Sequence, residues 1–95
     1  TKNHNIYTGV CIDTACSLGF CAERNAIGNM ITNGEEEIEK LVCIGSHNDN
    51  IMMPCGACRE LILQLSDTNK KTKILTNLNN NENIALEELM PRWWK

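Results

Sequence analysis

The apolar positions of the chain recur with two different periods, which together predict an α/β fold. Apolar and polar side chains alternate from Asn5 to Cys11, and this predicts a strand. The short apolar run of Leu41–Gly45 predicts a second, buried strand. Two stretches with apolar side chains three and four residues apart predict helices, over Cys21–Asn33 and Cys55–Leu65.

The last third of the chain predicts two more strands. These are Thr72–Asn77 and Asn83–Leu86, and a helical turn at Glu87–Met90 then ends at Pro91. Polar connections separate the elements, at Ile12–Phe20, Ser46–Asn50 and Ser66–Lys71. The order of strand, helix, strand, helix, strand predicts one domain over residues 1–95, with helices packed on both faces of a mixed sheet.

Length and charge narrow the class of protein. The chain has 95 residues, which suffice for one hydrophobic core. Its formal net charge of −3 argues against nucleic acid as the partner, because phosphate binders are generally basic. No apolar run is long enough to span a membrane, and no N-terminal signal segment is visible. We therefore expect a cytoplasmic protein that acts on a small neutral or cationic molecule.

Three of the six cysteines stand at predicted helix starts. Cys55 and Cys58 are spaced nearly one helical turn apart, so both thiols can face one point, and Cys21 at the other helix start can join them. The backbone N–H groups of a helix start lower the pKa of nearby thiols and favour metal binding. Three thiolates suit Zn²⁺, and three protein ligands leave its fourth position open, as in catalytic zinc sites.

A carboxylate accompanies these thiols. Glu23 lies two residues after Cys21 and can sit beside the metal without binding it. Zinc makes water acidic, and a neighbouring carboxylate can take the proton and pass it to a leaving group. The pattern Cys-x-Glu followed by Pro-Cys-x-x-Cys is the signature of zinc deaminases, with Cys as the first ligand.

Other uses of the cysteines remain open. The six thiols of a secreted protein could form a disulfide scaffold. A structural zinc site could take Cys11, Cys16 or Cys43 as a fourth ligand, but this arrangement leaves Glu23 unexplained. Cys55-x-x-Cys58 could be a redox pair, although the sequence around it is not typical of one. Buried packing is the simplest role for Cys43 and for Cys11.

The chain resembles the cytidine deaminase family at several points along its length. The matching segments, in order, are Tyr7–Val10, Cys21–Ala26, the variable loop Ser46–Asn50, Pro54–Glu60 and Leu86–Pro91. Blasticidin S deaminase belongs to the same group and shares these motifs. The resemblance implies an α/β/α sandwich around a mixed sheet, a nucleoside substrate and a homo-oligomer, dimeric or tetrameric. Family members are usually longer, so we expect this chain to lack their N-terminal helix and first strand.

The resemblance also implies roles for residues around the thiols. Arg24 would neutralise the excess charge of the thiolates, and Ala22 would contact the substrate. Asp13 would accept a hydrogen bond from a ribose hydroxyl in place of the family's Glu. Cys11 stands where the family has an Asn, and a thiol cannot reproduce the hydrogen bonds of an amide. The departure at Cys11 leaves the cytosine derivative open.

The predicted function is zinc-dependent hydrolytic deamination of a cytosine nucleoside. Cytidine or deoxycytidine would become uridine or deoxyuridine with release of ammonia, as in pyrimidine salvage. One alternative is a deaminase of blasticidin S or another cytosine nucleoside analogue. A different class of alternative is an inactive, zinc-stabilised interaction module. A deaminase acting on nucleic acid is disfavoured by the negative net charge.

Overall fold

Two α-helices are the longest elements of the computed structural model, which describes residues 1–45 and 50–95. Helix α1 runs over Ala22–Thr32 and helix α2 over Gly56–Leu65. The residues before them, Cys21 and Cys55, have extended backbones and serve as N-caps. Both predicted helices are thus confirmed to within one residue at each end, which places two cysteines at the helix starts.

The larger of the two sheets is mixed, as predicted. The strands of the described chain are β1 (Lys40–Leu41), β2 (Cys43–Ile44), β3 (Ile51–Met52), β4 (Lys73–Asn77) and β5 (Glu82–Ala85). Strand β4 lies between β1, to which it is parallel, and β5, to which it is antiparallel. Strands β2 and β3 form a separate antiparallel pair. Short 3₁₀ helices cover Asp67–Lys71 and Leu86–Leu89. The α/β class with a mixed sheet is confirmed.

The strand predicted over Asn5–Cys11 is wrong. This segment has no strand partner in the described part of the chain, and the isolated bridge Ile12–Phe20 follows it. Its backbone lies on α1 instead: a Cβ added to Gly9 would stand 2.6 Å from the backbone nitrogen of Ala26. The alternation of side chains is therefore present without the paired backbone that defines a strand.

The strand predicted over Leu41–Gly45 is divided between two sheets. Strand β1 pairs with β4, and the exposed Val42 then interrupts the strand. The next two residues form β2, which pairs with β3. The sequence does not predict strand β3, because a strand of only two residues, Ile51 and Met52, is too short to show a periodic pattern. The predicted polar break at Ser66–Lys71 is a 3₁₀ helix, in which the Ser66 hydroxyl accepts a hydrogen bond from the backbone of Thr68. Most of the predicted loop Ser46–Asn50 lies outside the described residues.

The core lies between the helices and the central strand. It contains Ile27 and Met30 of α1, Ile62 and Leu63 of α2, Ile74 of β4, and also Ile38 and Leu86. Two polar side chains, Asn69 and Thr72, are buried among them and fully hydrogen-bonded. This core fixes the two helices relative to one another, and with them the two capping cysteines. No helix in the described ranges combines the length and apolarity needed to cross a membrane.

Candidate metal centre

The two helix starts bring three thiols together. The Sγ atoms of Cys21 and Cys55 are 3.4 Å apart, and those of Cys55 and Cys58 are 3.5 Å apart. Cys58 lies in the first turn of α2 and is completely buried, whereas Cys55 is exposed. The predicted meeting of the two helix N-termini is therefore observed, with one side of the thiol cluster open to solvent.

A carboxylate oxygen of Glu23 completes a group of four. The ligand atoms of Cys21, Glu23, Cys55 and Cys58 all lie within 4.8 Å of one another. Glu23 is in the first turn of α1 and is half-buried. No other cysteine of the described chain belongs to this group, so the alternative of a fourth thiolate from Cys11, Cys16 or Cys43 receives no support from the geometry.

The spacing of the thiols suits zinc. With Zn–S bonds of about 2.3 Å, tetrahedral geometry places sulfur atoms about 3.8 Å apart. The observed separations of 3.4 and 3.5 Å need only a small outward movement to reach that value. All six cysteines are free thiols, so no disulfide competes for these ligands.

The thiols differ in how readily they lose a proton. The backbone N–H of Cys58 chiefly lowers the pKa of Cys55, with help from the thiols of Cys21 and Cys58. A hydrogen bond with Cys55 raises the pKa of Cys21, and burial raises that of Cys58 well above its usual range. Metal binding requires deprotonated thiols. The exposed Cys55 at the helix start is thus the thiol of the three that loses its proton most readily.

A fourth thiol lies outside this group of four. Cys43 of β2 is half-buried and is not among the side chains whose ligand atoms converge. Burial, followed by the negative charge of Glu23, raises the pKa of Cys43 to about 12. Alternation along Leu41–Ile44 places Cys43 on the same face as the half-buried Leu41, opposite the exposed Val42 and Ile44.

The remaining predicted site residues lie around the cluster. Ala22 is the first residue of α1, between the thiol of Cys21 and Glu23. Arg24 is exposed, and its guanidinium carbon stands 5.9 Å from the centre of the Phe20 ring. Cys11 and Asp13 are exposed on the segment that precedes α1 and are not part of the group of four. The roles expected for these residues stay predictions.

Comparison with known proteins agrees with this geometry. The sequence profile of the cytidine and deoxycytidylate deaminase zinc-binding region matches residues 1–76. The chain is 28% identical to a cytidine deaminase of Mycoplasma genitalium, over 98% of this chain and 72% of the relative. It is 30% identical to a blasticidin-S deaminase of Bacillus cereus, over 96% of this chain and 69% of the relative.

A solved structure shows the same fold. The cytidine deaminase of Mycobacterium leprae superposes with a TM-score of 0.79 at 26% identity, over 96% of this chain and 72% of that one. The family match and the thiol-rich cluster together identify Zn²⁺ as the metal of the site. On both sequence and structure, this chain belongs to the family of zinc-dependent cytidine and deoxycytidylate deaminases.

Proposed function

We propose that the chain deaminates a cytosine nucleoside by hydrolysis, with cytidine or deoxycytidine as substrate. Cys21, Cys55 and Cys58 would hold the zinc ion, and Glu23 would move the proton. The observation that carries the proposal is the close approach of one carboxylate to three thiols, all within 4.8 Å, at two helix starts. A purely structural site does not need a carboxylate at this place.

Each residue of the cluster has a distinct task in this mechanism. Zinc, when bound, supplies the acidity that makes water a nucleophile near neutral pH. Glu23 takes one proton from the attacking water and delivers it to the ring nitrogen as the water oxygen bonds to the ring carbon. Glu23 then takes the second proton, from the new hydroxyl, and delivers it to the amine, so that the C–N bond breaks, ammonia leaves and the carbonyl of the uracil base remains.

The charge of the site supports a role for Arg24. Three thiolates around Zn²⁺ leave one negative charge by formal counting. Arg24 directly follows Glu23, at the start of the same helix, and is the nearest cation along the chain. We infer that its guanidinium offsets this charge once the metal is bound, while the Phe20 ring limits the positions that it can adopt.

The substrate contacts are proposed from the segment before α1 and from the helix start. Asp13 would accept a hydrogen bond from a sugar hydroxyl, Cys11 would line the sugar site, and Ala22 would contact the base. The relative from Bacillus cereus is a blasticidin-S deaminase, which makes that cytosine nucleoside analogue the second candidate substrate. The negative net charge supports a nucleoside rather than nucleic acid.

Cellular context and assembly follow as further parts of the proposal. We infer a homo-oligomer, dimeric or tetrameric, that works in the cytoplasm and contributes to pyrimidine salvage. These inferences are supported by family membership. Analytical ultracentrifugation of the zinc-loaded protein tests the assembly: a monomer at micromolar concentration contradicts it.

Ammonia release tests the central proposal. The zinc-loaded protein is offered cytidine, deoxycytidine and blasticidin S in parallel, next to Glu23→Gln, which keeps the volume of the side chain but cannot shuttle the proton. We expect release from at least one substrate and a loss of about 10²–10⁴-fold in Glu23→Gln. The exposed Glu36→Gln is the matched control and should behave as the unmodified chain. Equal activity in Glu23→Gln contradicts the assigned role.

A further inference from the structure

Arg59 of α2 holds both peptide groups that flank Cys55. Its side chain donates from Nε to the carbonyl of Pro54 at 2.7 Å, and its backbone N–H donates to the carbonyl of Cys55 at 3.0 Å. Peptide groups are planar, and the Cα atom of Cys55 lies in both of these planes. A single residue therefore fixes the backbone of Cys55 on both sides of its Cα atom.

The carbonyl of Pro54 depends on this side chain. Pro54 is completely buried, and in the described part of the chain no backbone N–H donates to its carbonyl. A buried carbonyl needs a hydrogen-bond donor. At the start of α1, the carbonyl of Phe20, just before Cys21, accepts from the backbone of Ile12 at 3.0 Å. A backbone hydrogen bond thus does at the first helix start what an arginine side chain does at the second.

The other end of the guanidinium reaches a third carbonyl. Nη1 of Arg59 stands 3.4 Å from the carbonyl oxygen of Leu89, the last residue of the final 3₁₀ helix. That helix is anchored in the core by its first residue, Leu86, which is completely buried. The guanidinium presents its donors in one rigid plane, which suits such a bridge. Arg59 thereby connects the turn before α2 to a part of the core 30 residues further along the chain.

We propose that Arg59 is a positioning residue of the metal centre: it holds the turn before α2 so that the thiol of Cys55 faces the other two thiols. The proposal rests on the proposed role of Cys55 as a ligand. Cys55 is exposed, whereas Cys58 lies inside the first turn of the helix and is completely buried. Cys55 is therefore the ligand of α2 whose position depends more on a hydrogen-bonded backbone than on packing.

Zinc affinity tests this role without any substrate. Arg59→Met removes the donors of the side chain but keeps its apolar stem. We expect it to bind zinc about 10–100-fold more weakly than the unmodified chain, as measured by competition with a chelator. Arg92→Met removes an exposed arginine outside α2 and is the matched control, with unchanged affinity expected. Unchanged zinc affinity in Arg59→Met overturns the proposal, whatever its thermal midpoint.

Cobalt-loaded protein separates the position of Cys55 from the stability of the fold. Co²⁺ can replace Zn²⁺ at thiolate sites, and its thiolate charge-transfer band grows with the number of bound sulfur atoms. In Arg59→Met we expect this band, per bound ion, to fall towards about two thirds of its value in the unmodified chain, because one of three thiolates is misplaced. Lower stability alone reduces the amount of bound cobalt but not the band per ion, so a band of full intensity overturns the proposal.

Arg59→Lys shows whether the donated hydrogen bond carries the effect. Its ammonium can donate to the carbonyl of Pro54 but cannot bridge to Leu89 with a planar fork, so we expect zinc affinity within about threefold of the unmodified chain. Equal losses in Arg59→Lys and Arg59→Met overturn the proposed contact. If the unmodified chain itself shows no cobalt–thiolate band, the proposed ligand set fails, and the role of Arg59 fails with it.

Discussion

The cysteines at the helix starts lie close together, whereas the cysteines of the first twenty residues do not belong to any cluster in the described chain. At the helix starts, Cys21, Cys55 and Cys58 converge on one point, and the core begins a few residues further on with Ile27. In the first twenty residues, all of which are described, no side chain is buried, and Cys11 and Cys16 are exposed. Ile6 is 89% exposed and Leu18 74%.

The difference lies in what holds each region. The helix starts are fixed by helices whose apolar faces pack into a shared core, so a thiol at an N-cap has a defined position. The N-terminal segment is held by a few single contacts to α1 and the turn after it. These include the amide of Asn25 donating to the carbonyl of Val10, and the Tyr7 hydroxyl donating to Glu35. Catalytic side chains that need sub-ångström placement are therefore expected at the helix starts.

The largest expected effect comes from removing one converging thiol. Cys55→Ala should lose stoichiometric zinc and activity, and zinc should no longer raise its thermal midpoint, because binding energy of the metal is folding energy at such sites. Metal analysis and thermal unfolding, with and without zinc, measure both effects. Cys16→Ala removes a thiol from the other region and should bind one zinc per chain. A Cys55→Ala protein with full zinc content contradicts the ligand set.

The second effect compares two asparagines. The Asn69 side chain is fully buried and accepts from the backbone of Ile38 while donating to the carbonyls of Glu36 and Ile62. Asn69→Ala leaves these groups without partners and should cost about 3 kcal/mol in the free energy of unfolding. Asn25→Ala, which frees only the exposed carbonyl of Val10, should cost about 0.5–1 kcal/mol. Urea unfolding measures both changes in the free energy of unfolding. Equal losses in Asn69→Ala and Asn25→Ala would contradict the expected difference between the core and the N-terminal segment.

Asn69 also shows where prediction from the sequence ends. Both helices, the cysteines at their starts and β4 follow from patterns within about ten residues, and the helices and β4 are observed nearly as predicted. Asn69 looks like part of a polar break, and only distant partners at Glu36 and Ile38 make it a core residue.

In the N-terminal segment, the sequence predicts an element that the structure does not contain. Alternation of side chains over Asn5–Cys11 predicts a strand, because β-branched residues alternate there. A strand also requires a neighbouring backbone, and side-chain alternation carries no information about whether one is present. The described chain instead places this backbone on α1, which the sequence marks only by the small residues Gly9 and Ala26.

The third effect tests that close approach. An alanine Cβ at position 9 would lie 2.6 Å from the backbone nitrogen of Ala26 and 2.7 Å from the carbonyl oxygen of Ala22. Gly9→Ala should lift the segment from α1 and cost about 1–3 kcal/mol. Gly28→Ala, inside α1 with nothing within 4 Å of the added Cβ, should instead stabilise the protein by about 0.5–1 kcal/mol. Limited proteolysis adds a local readout, with faster cleavage before Phe20 expected only in Gly9→Ala.

The smallest effect concerns the attachment of the N-terminal segment by Glu35. The Tyr7 hydroxyl donates to the Glu35 carboxylate at 2.5 Å, and the amide of Asn5 donates to the same oxygen at 3.0 Å. These contacts, with Tyr7 first, lower the pKa of Glu35 from 4.5 to about 2. A folded-state pKa below the unfolded value means that the contribution to stability is full above about pH 4.5 and is lost as the pH falls towards 2.

Glu35→Gln should therefore be less stable than the unmodified chain at pH 6, and the difference should narrow steadily between about pH 4.5 and pH 2.5. The loss should be small because Glu35 is close to solvent, which screens the interaction. Urea unfolding at several pH values measures it, and hydrogen exchange at residues 6–10 shows whether the loss is local. Glu36→Gln alters the neighbouring exposed carboxyl and serves as the control. A difference that stays constant with pH means that Glu35 acts through shape rather than charge, and the N-terminal segment would then be held by packing, as the helix starts are.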